Sequence, residues 1–136
     1  MKRRALLSGL LALPVVVVAT PAWAGSYLDR AALLLGSSRK DAEALRKRMT
    51  DKELARVVKI VSEARQTAAS KMDVPAVVAK AHPHLLLALT RVERAATSAL
   101  DGNFVSVLEH LESAKTEETI FRSALKELGH PLPSAA

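Results

Sequence analysis

The sequence predicts an all-α fold: an up-and-down antiparallel four-helix bundle, with a short extra helix near residues 74–82. Three observations lead there. Alanine, leucine, lysine, arginine and glutamate dominate the 136-residue chain, and these are the strongest helix formers. Each long segment repeats its apolar residues every three or four positions, the period of a helix with one buried side. No segment alternates apolar and polar residues as a half-buried strand does. The breaks between segments are short, which makes successive helices antiparallel neighbours.

The first predicted helix runs from about Ser26 to Met49, with Leu28, Ala31, Leu35, Ala42, Leu45 and Met49 as its apolar stripe. Gly36-Ser37-Ser38 marks a break point in its middle, because glycine lowers helix stability and serine competes for backbone hydrogen bonds. Thr50-Asp51-Lys52-Glu53 reads as a capping box, with Thr50 as N-cap and Glu53 reaching back. The second helix then continues to about Met72 and is expected to bury Leu54, Val57, Val58, Val61, Ala64 and Ala68. Asp73-Val74-Pro75 caps and opens the short extra helix, whose inward side is Val74, Val77, Val78 and Ala81.

Pro83 fits the first turn of a third helix, where its missing N–H costs nothing. That helix reaches Leu100 and lines one side with Leu85, Ala88, Leu89, Val92, Ala96 and Ala99. Asp101-Gly102-Asn103 is a stop and a restart: Gly102 takes the left-handed conformation and Asn103 caps the next helix. The fourth helix runs from Phe104 to Leu128 on the stripe Phe104, Val107, Leu108, Leu111, Ala114, Phe121, Leu125 and Leu128. Gly129 closes it, and Pro131 and Pro133 prevent continuation. Residues 131–136 read as a flexible tail.

Upstream of the bundle, residues 1–24 have the three parts of a secretory signal. Lys2-Arg3-Arg4 supply the positive start, Ala5 to Ala19 the short apolar middle, and Ala22-Trp23-Ala24 the small-x-small end before Gly25. Ala22 and Ala24 suit the pockets of a signal peptidase, so cleavage is expected between Ala24 and Gly25. The apolar run is shorter than the roughly 20 residues of a spanning helix. Arg3-Arg4-Ala5-Leu6-Leu7 resembles the core of a twin-arginine signal, although no Ser or Thr precedes the arginines. The expected protein is therefore exported, to a periplasm or outside the cell. Its domain covers residues 25–130, and no transmembrane segment is expected after processing.

Composition narrows the function. There is no cysteine, which excludes thiol catalysis, thiolate metal sites, covalently attached haem and disulfides. The formal charge of +6 falls to +3 once Lys2, Arg3 and Arg4 are removed. That remainder is uneven: residues 25–80 carry 12 basic and 7 acidic groups, while residues 81–136 carry 5 and 7. The aromatics beyond the signal are only Tyr27, Phe104 and Phe121, too few to stack bases, and no nucleic-acid partner is expected. No glycine-rich phosphate loop or nucleophile elbow occurs, so the chain reads as non-enzymatic and no cofactor is expected.

Two binding readings remain. In the first, the chain contacts another protein or an anionic envelope surface through Arg46, Lys47, Arg48, Lys52, Arg56 and Lys59, a run that otherwise serves as solvated helix surface. A homodimer is compatible with the same pattern. In the second, the bundle binds a metal or small ligand through His82, His84, His110 and Glu118. His82-Pro83-His84 sets two imidazoles around a fixed φ, and imidazole suits copper and zinc. The plainer alternative makes them polar residues at a helix start. Glu118 lies on the apolar stripe of the fourth helix, where a carboxylate needs a partner. Arg91 or Arg94 is the expected one.

Overall fold

The computed structural model describes residues 22–133, with side chains from Gly25 onward. Four α-helices occur in order: α1 (Ala22–Lys47), α2 (Lys52–Ser70), α3 (His82–Leu100) and α4 (Phe104–Glu127). Between α2 and α3 lies one 3-10 turn, Ala76–Val78. The predicted signal segment falls outside the described residues, except that Ala22, Trp23 and Ala24 form the first turn of α1. The expected junction at Ala24–Gly25 therefore lies within a helix.

Side-chain pairs fix the topology. Asp41 of α1 meets Arg65 of α2 at 2.7 Å, and Thr90 of α3 donates to Gln66 of α2 at 2.9 Å. Ser98 of α3 meets Ser106 of α4 at 3.1 Å, and Arg39 of α1 pairs with Glu118 of α4. Each neighbour runs antiparallel to the last, as an up-and-down bundle requires. The packing is unequal, however. α3 lies along both α2 and α4 for most of its length, whereas α1 touches its neighbours much less, and α4 least. Ala88, Ala95, Ala96 and Ala99 of α3 are all buried, and such small side chains let helix backbones approach closely.

The core forms two clusters, one at each end. One gathers Tyr27, Leu35, Val78, Leu85, Leu89, Phe121 and Leu125 among others. The second gathers Leu45, Ala55, Val58, Val92, Val107 and Leu111 among others. Ser38 and Ser62, both buried, fall between the clusters along α1 and α2.

Several local expectations change. α1 runs unbroken through Gly36-Ser37-Ser38. Leu35 and Leu45 anchor it on both sides, and this packing outweighs the roughly 0.5–1 kcal/mol that a helical glycine costs. The N-cap of α2 is Asp51 rather than Thr50; its carboxylate accepts from the Leu54 N–H at 3.0 Å. The extra helix shortens to the one 3-10 turn, whose N-terminal flank is Pro75, without a side-chain cap, rather than Asp73. Asn103 caps α4 as expected, accepting from the Ser106 N–H at 3.2 Å. Gly102 and Gly129 take positive φ, 76° and 85°, which closes α3 and α4 as left-handed residues. Within the tail, Leu132 packs against the first core cluster instead of standing free. Among the described residues, no helix is long and apolar enough to cross a membrane.

Candidate functional site

The largest departure from expectation is the rotation of α2. Its buried residues are Ala55, Val58, Ser62 and Ala69: Val58 is buried as expected, while Ala55, Ser62 and Ala69 lie one position beyond the predicted Leu54, Val61 and Ala68. Leu54 and Val61 become half-buried, and Val57, Ala64 and Ala68 face outward. Val57 is 50% exposed and Ile60 65% exposed. The small Ala55 and Ser62 face inward where α2 meets α3, so the two helices pack closely and the larger residues turn out. Val57, Ile60, Ala64 and Ala68 thus make an apolar row on the solvent side of α2, at the helical spacing of one face.

α1 has an outward apolar residue of its own. Leu33 is 70% exposed. A shallow trough of about 970 Å³ runs along the outer side of α1, lined by Leu33, Gly36, Ser37, Lys40, Lys47, Arg48 and Pro133 among others. Gly36 and Ser37 keep its floor low; a Cβ at Gly36 would meet no atom within 4 Å.

The predicted basic patch sits where α1 turns into α2, and local contacts occupy much of it. Arg48 binds Asp51 at 2.8 Å, Arg56 binds Glu53 at 2.5 Å, and Arg46 lies 3.8 Å from Glu43. The Asp51 carboxyl is held below its ordinary range, first by the Arg48 hydrogen bond and then by the Leu54 N–H. Lys52 donates to the Leu100 carbonyl at 2.8 Å, binding the C-terminal end of α3. Lys47 and Lys59 make no ion pair among the described residues. All six residues are on the α1–α2 side, and two of them, Lys47 and Arg48, line the trough.

The four residues of the metal reading do not come together. His82 is buried and both ring nitrogens are used: Nδ1 lies 2.7 Å from the Tyr27 hydroxyl and Nε2 lies 3.1 Å from the Ala69 carbonyl. Nε2–H donates to Ala69 in the neutral tautomer that lets Tyr27 donate to Nδ1. Burial pushes the imidazole pKa down, partly offset by the Ala69 bond. Burial likewise pushes the Tyr27 hydroxyl up to about 12. His82 therefore pins the starts of α1 and α3 to the end of α2. His84 is engaged with Glu117 at 2.7 Å. His110 stands half-buried on α4, about 12 Å along the axis from Glu118, far beyond the ~2 Å reach of a shared zinc ion. Glu118 takes Arg39 and Arg122 as partners, not Arg91 or Arg94. Among the described residues, no three of His, Asp or Glu stand as a metal-ligand group.

Sequence reasoning overlooked Tyr27 and Glu117. The spacing Tyr27-Ala31-Leu35 was available, and it places Tyr27 on the buried side of α1. The partners of His82 and His84 lie 55 and 33 residues away, and no local pattern points to them. No protein family, characterised protein or solved structure matches this chain.

Proposed function

We propose that this chain is an exported, non-enzymatic binding protein of a bacterial-type envelope, which docks on an anionic lipid surface through the outer face of α1 and α2. The observation that carries the proposal is the outward row Val57, Ile60, Ala64 and Ala68 on the basic half of the molecule. An apolar row with cationic flanks is the pattern of a helix lying in the plane of a membrane interface. Apolar residues enter the headgroup boundary, and Lys47, exposed on the trough of α1, has no ion pair to give up on meeting phosphate. Each such cation near an anionic leaflet contributes about 1 kcal/mol.

Charge also argues for this partner over a second copy. Residues 25–80 carry 12 basic against 7 acidic groups, so two copies meeting through this face would repel. Export rests on the Lys2-Arg3-Arg4 start, the apolar run and the Ala22-Trp23-Ala24 end. No metal is held by the other predicted set, because His82 and His84 are engaged with Tyr27, Ala69 and Glu117 and His110 lies about 12 Å along α4 from Glu118.

Co-sedimentation of the exported protein with phosphatidylglycerol and phosphatidylcholine vesicles tests the proposal. The expected result is binding to phosphatidylglycerol alone, weakened by salt and abolished by I60D. Equal binding to both vesicles, or no binding to either, would overturn it. So would I60D binding as well as the parent chain.

A further inference from the structure

The seam between α1 and α4 is the thinnest contact between helix neighbours, and it is open. A groove of about 430 Å³ runs along it, with α3 as part of its floor. Small residues create it. Ser38 and Ala42 on α1 face Ala114 on α4, and none of these reaches across. Leu35, Val92 and Leu111 complete an apolar base. Leu108 belongs to the apolar stripe of α4 but stands 44% exposed at the groove wall. The volume falls within the ~300–1,000 Å³ of small-molecule sites. From Leu35 to Arg46 the groove tracks α1 for about 16 Å at roughly 1.5 Å per residue. It is long, narrow and apolar beneath.

One end is polar and carries surplus positive charge. Glu118, only 14% exposed, is paired with Arg39 of α1 and with Arg122 of α4, the latter at 2.9 Å. Two guanidinium groups thus share one carboxylate. Each guanidinium has five N–H donors in a planar fork, and one carboxylate cannot occupy them all. This cluster accounts for the carboxylate on the α4 stripe: Glu118 holds Arg39, which lines the apolar groove, and Arg122, one turn further along α4 and outside its lining. Along the rest of the groove, Arg46 is balanced by Glu43, and Lys115 and Glu112 on the α4 wall offset one another in sign. The polar end therefore differs in net charge from the rest.

We infer that the groove between α1 and α4 binds a single-chain fatty acid, with the alkyl chain along the floor and the carboxylate against Arg39, beside the Glu118–Arg122 pair. A second carboxylate there balances the cluster and takes guanidinium donors that Glu118 leaves open, by the bidentate geometry arginine favours. The chain covers Leu35, Val92, Leu108 and Leu111. This site is separate from the α1–α2 face, so the inference stands whether or not that face docks on lipid.

Titration calorimetry with dodecanoate on the exported protein, in buffer free of vesicles, tests it. The expected result is one saturable site per chain, with affinity rising up to about fourfold for each added methylene. R39Q should weaken dodecanoate about tenfold while leaving the thermal transition nearly unchanged, since Arg122 still holds Glu118. A42F, which fills the groove, should abolish binding. Dodecyltrimethylammonium, with the same chain and a cationic head, should bind at least tenfold more weakly. Absence of saturable dodecanoate binding would overturn the inference, as would equal affinity for the ammonium compound. If A42F fails to fold, R39Q decides: dodecanoate binding unaffected by R39Q contradicts the assignment.

Discussion

α1 and α3 are both long buried-face helices of one bundle, yet they are packed differently. α3 is central and alanine-rich, closed on both sides by α2 and α4. α1 packs more thinly, and the open surfaces along it arise from that. Its seam with α4 leaves the 430 Å³ groove, and its outer side carries the trough and the exposed Leu33. Close packing consumes surface, so a helix that closes completely against its neighbours has little left for a ligand. In this chain α3 makes the closest helix packing, and α1, with the outer side of α2, carries the open surfaces.

The largest expected effect tests this division with matched truncations. Leu85 of α3 and Leu35 of α1 are both essentially buried. L85A should cost about 3–5 kcal/mol, toward the upper end for buried leucine. L35A should cost nearer ~2 kcal/mol, because it borders the groove and the space left opens into it rather than forming a closed void. Urea unfolding of the two variants measures the difference. Equal losses would break the comparison.

A smaller effect concerns a polar tie that joins the two helices. His82 at the start of α3 holds Tyr27 of α1 and the Ala69 carbonyl of α2. H82A should cost about 1–3 kcal/mol, since it strands a buried hydroxyl and a carbonyl. The pH dependence has a definite sign. The folded imidazole has a pKa below its ordinary value of 6.5, so the unfolded chain takes up the proton first as pH falls. Stability from this group is complete above pH 6.5 and is lost as pH falls toward the lowered folded value. Asp51, also lowered, acts only in a more acid window below its ordinary value of 3.8. Thermal melts stepped downward from neutral pH should show Tm falling below about pH 6.5, with the slope flattened in H82Q. A slope that survives in H82Q would assign it to another group.

How much of this was legible in the sequence depends on distance along the chain. Helix number, the Gly102 and Gly129 stops and the Asn103 cap were readable, because each depends on a few adjacent residues. Of the face that α2 buries, only Val58 was. Val57 and Ile60 have the hydrophobicity of core residues, but α2 meets α3 through Ala55, Ser62 and Ala69, and close approach favours small residues over large ones. Periodicity measures spacing, and a rotation by one position leaves spacing intact. The candidate sites were less legible still. His82-Pro83-His84 drew notice for its chemistry, but its role comes from Tyr27 and Ala69, distant in sequence. The oddity of Glu118 was visible from its place on the apolar stripe, while its partner Arg39 lies 79 residues away. The α1–α4 groove consists of positions where side chains are small, and no motif records an unfilled seam.

Amide hydrogen exchange of the protein, with and without phosphatidylglycerol vesicles, tests the division between helices most directly. Without vesicles, α3 amides from Leu85 to Ala99 should exchange slowest and α1 amides from Leu33 to Lys47 markedly faster. With vesicles, added protection should fall on α1 and on Val57 to Ala68 of α2, leaving α3 and α4 unchanged. Equal protection of α1 and α3, or vesicle protection centred on α3 and α4, would contradict it.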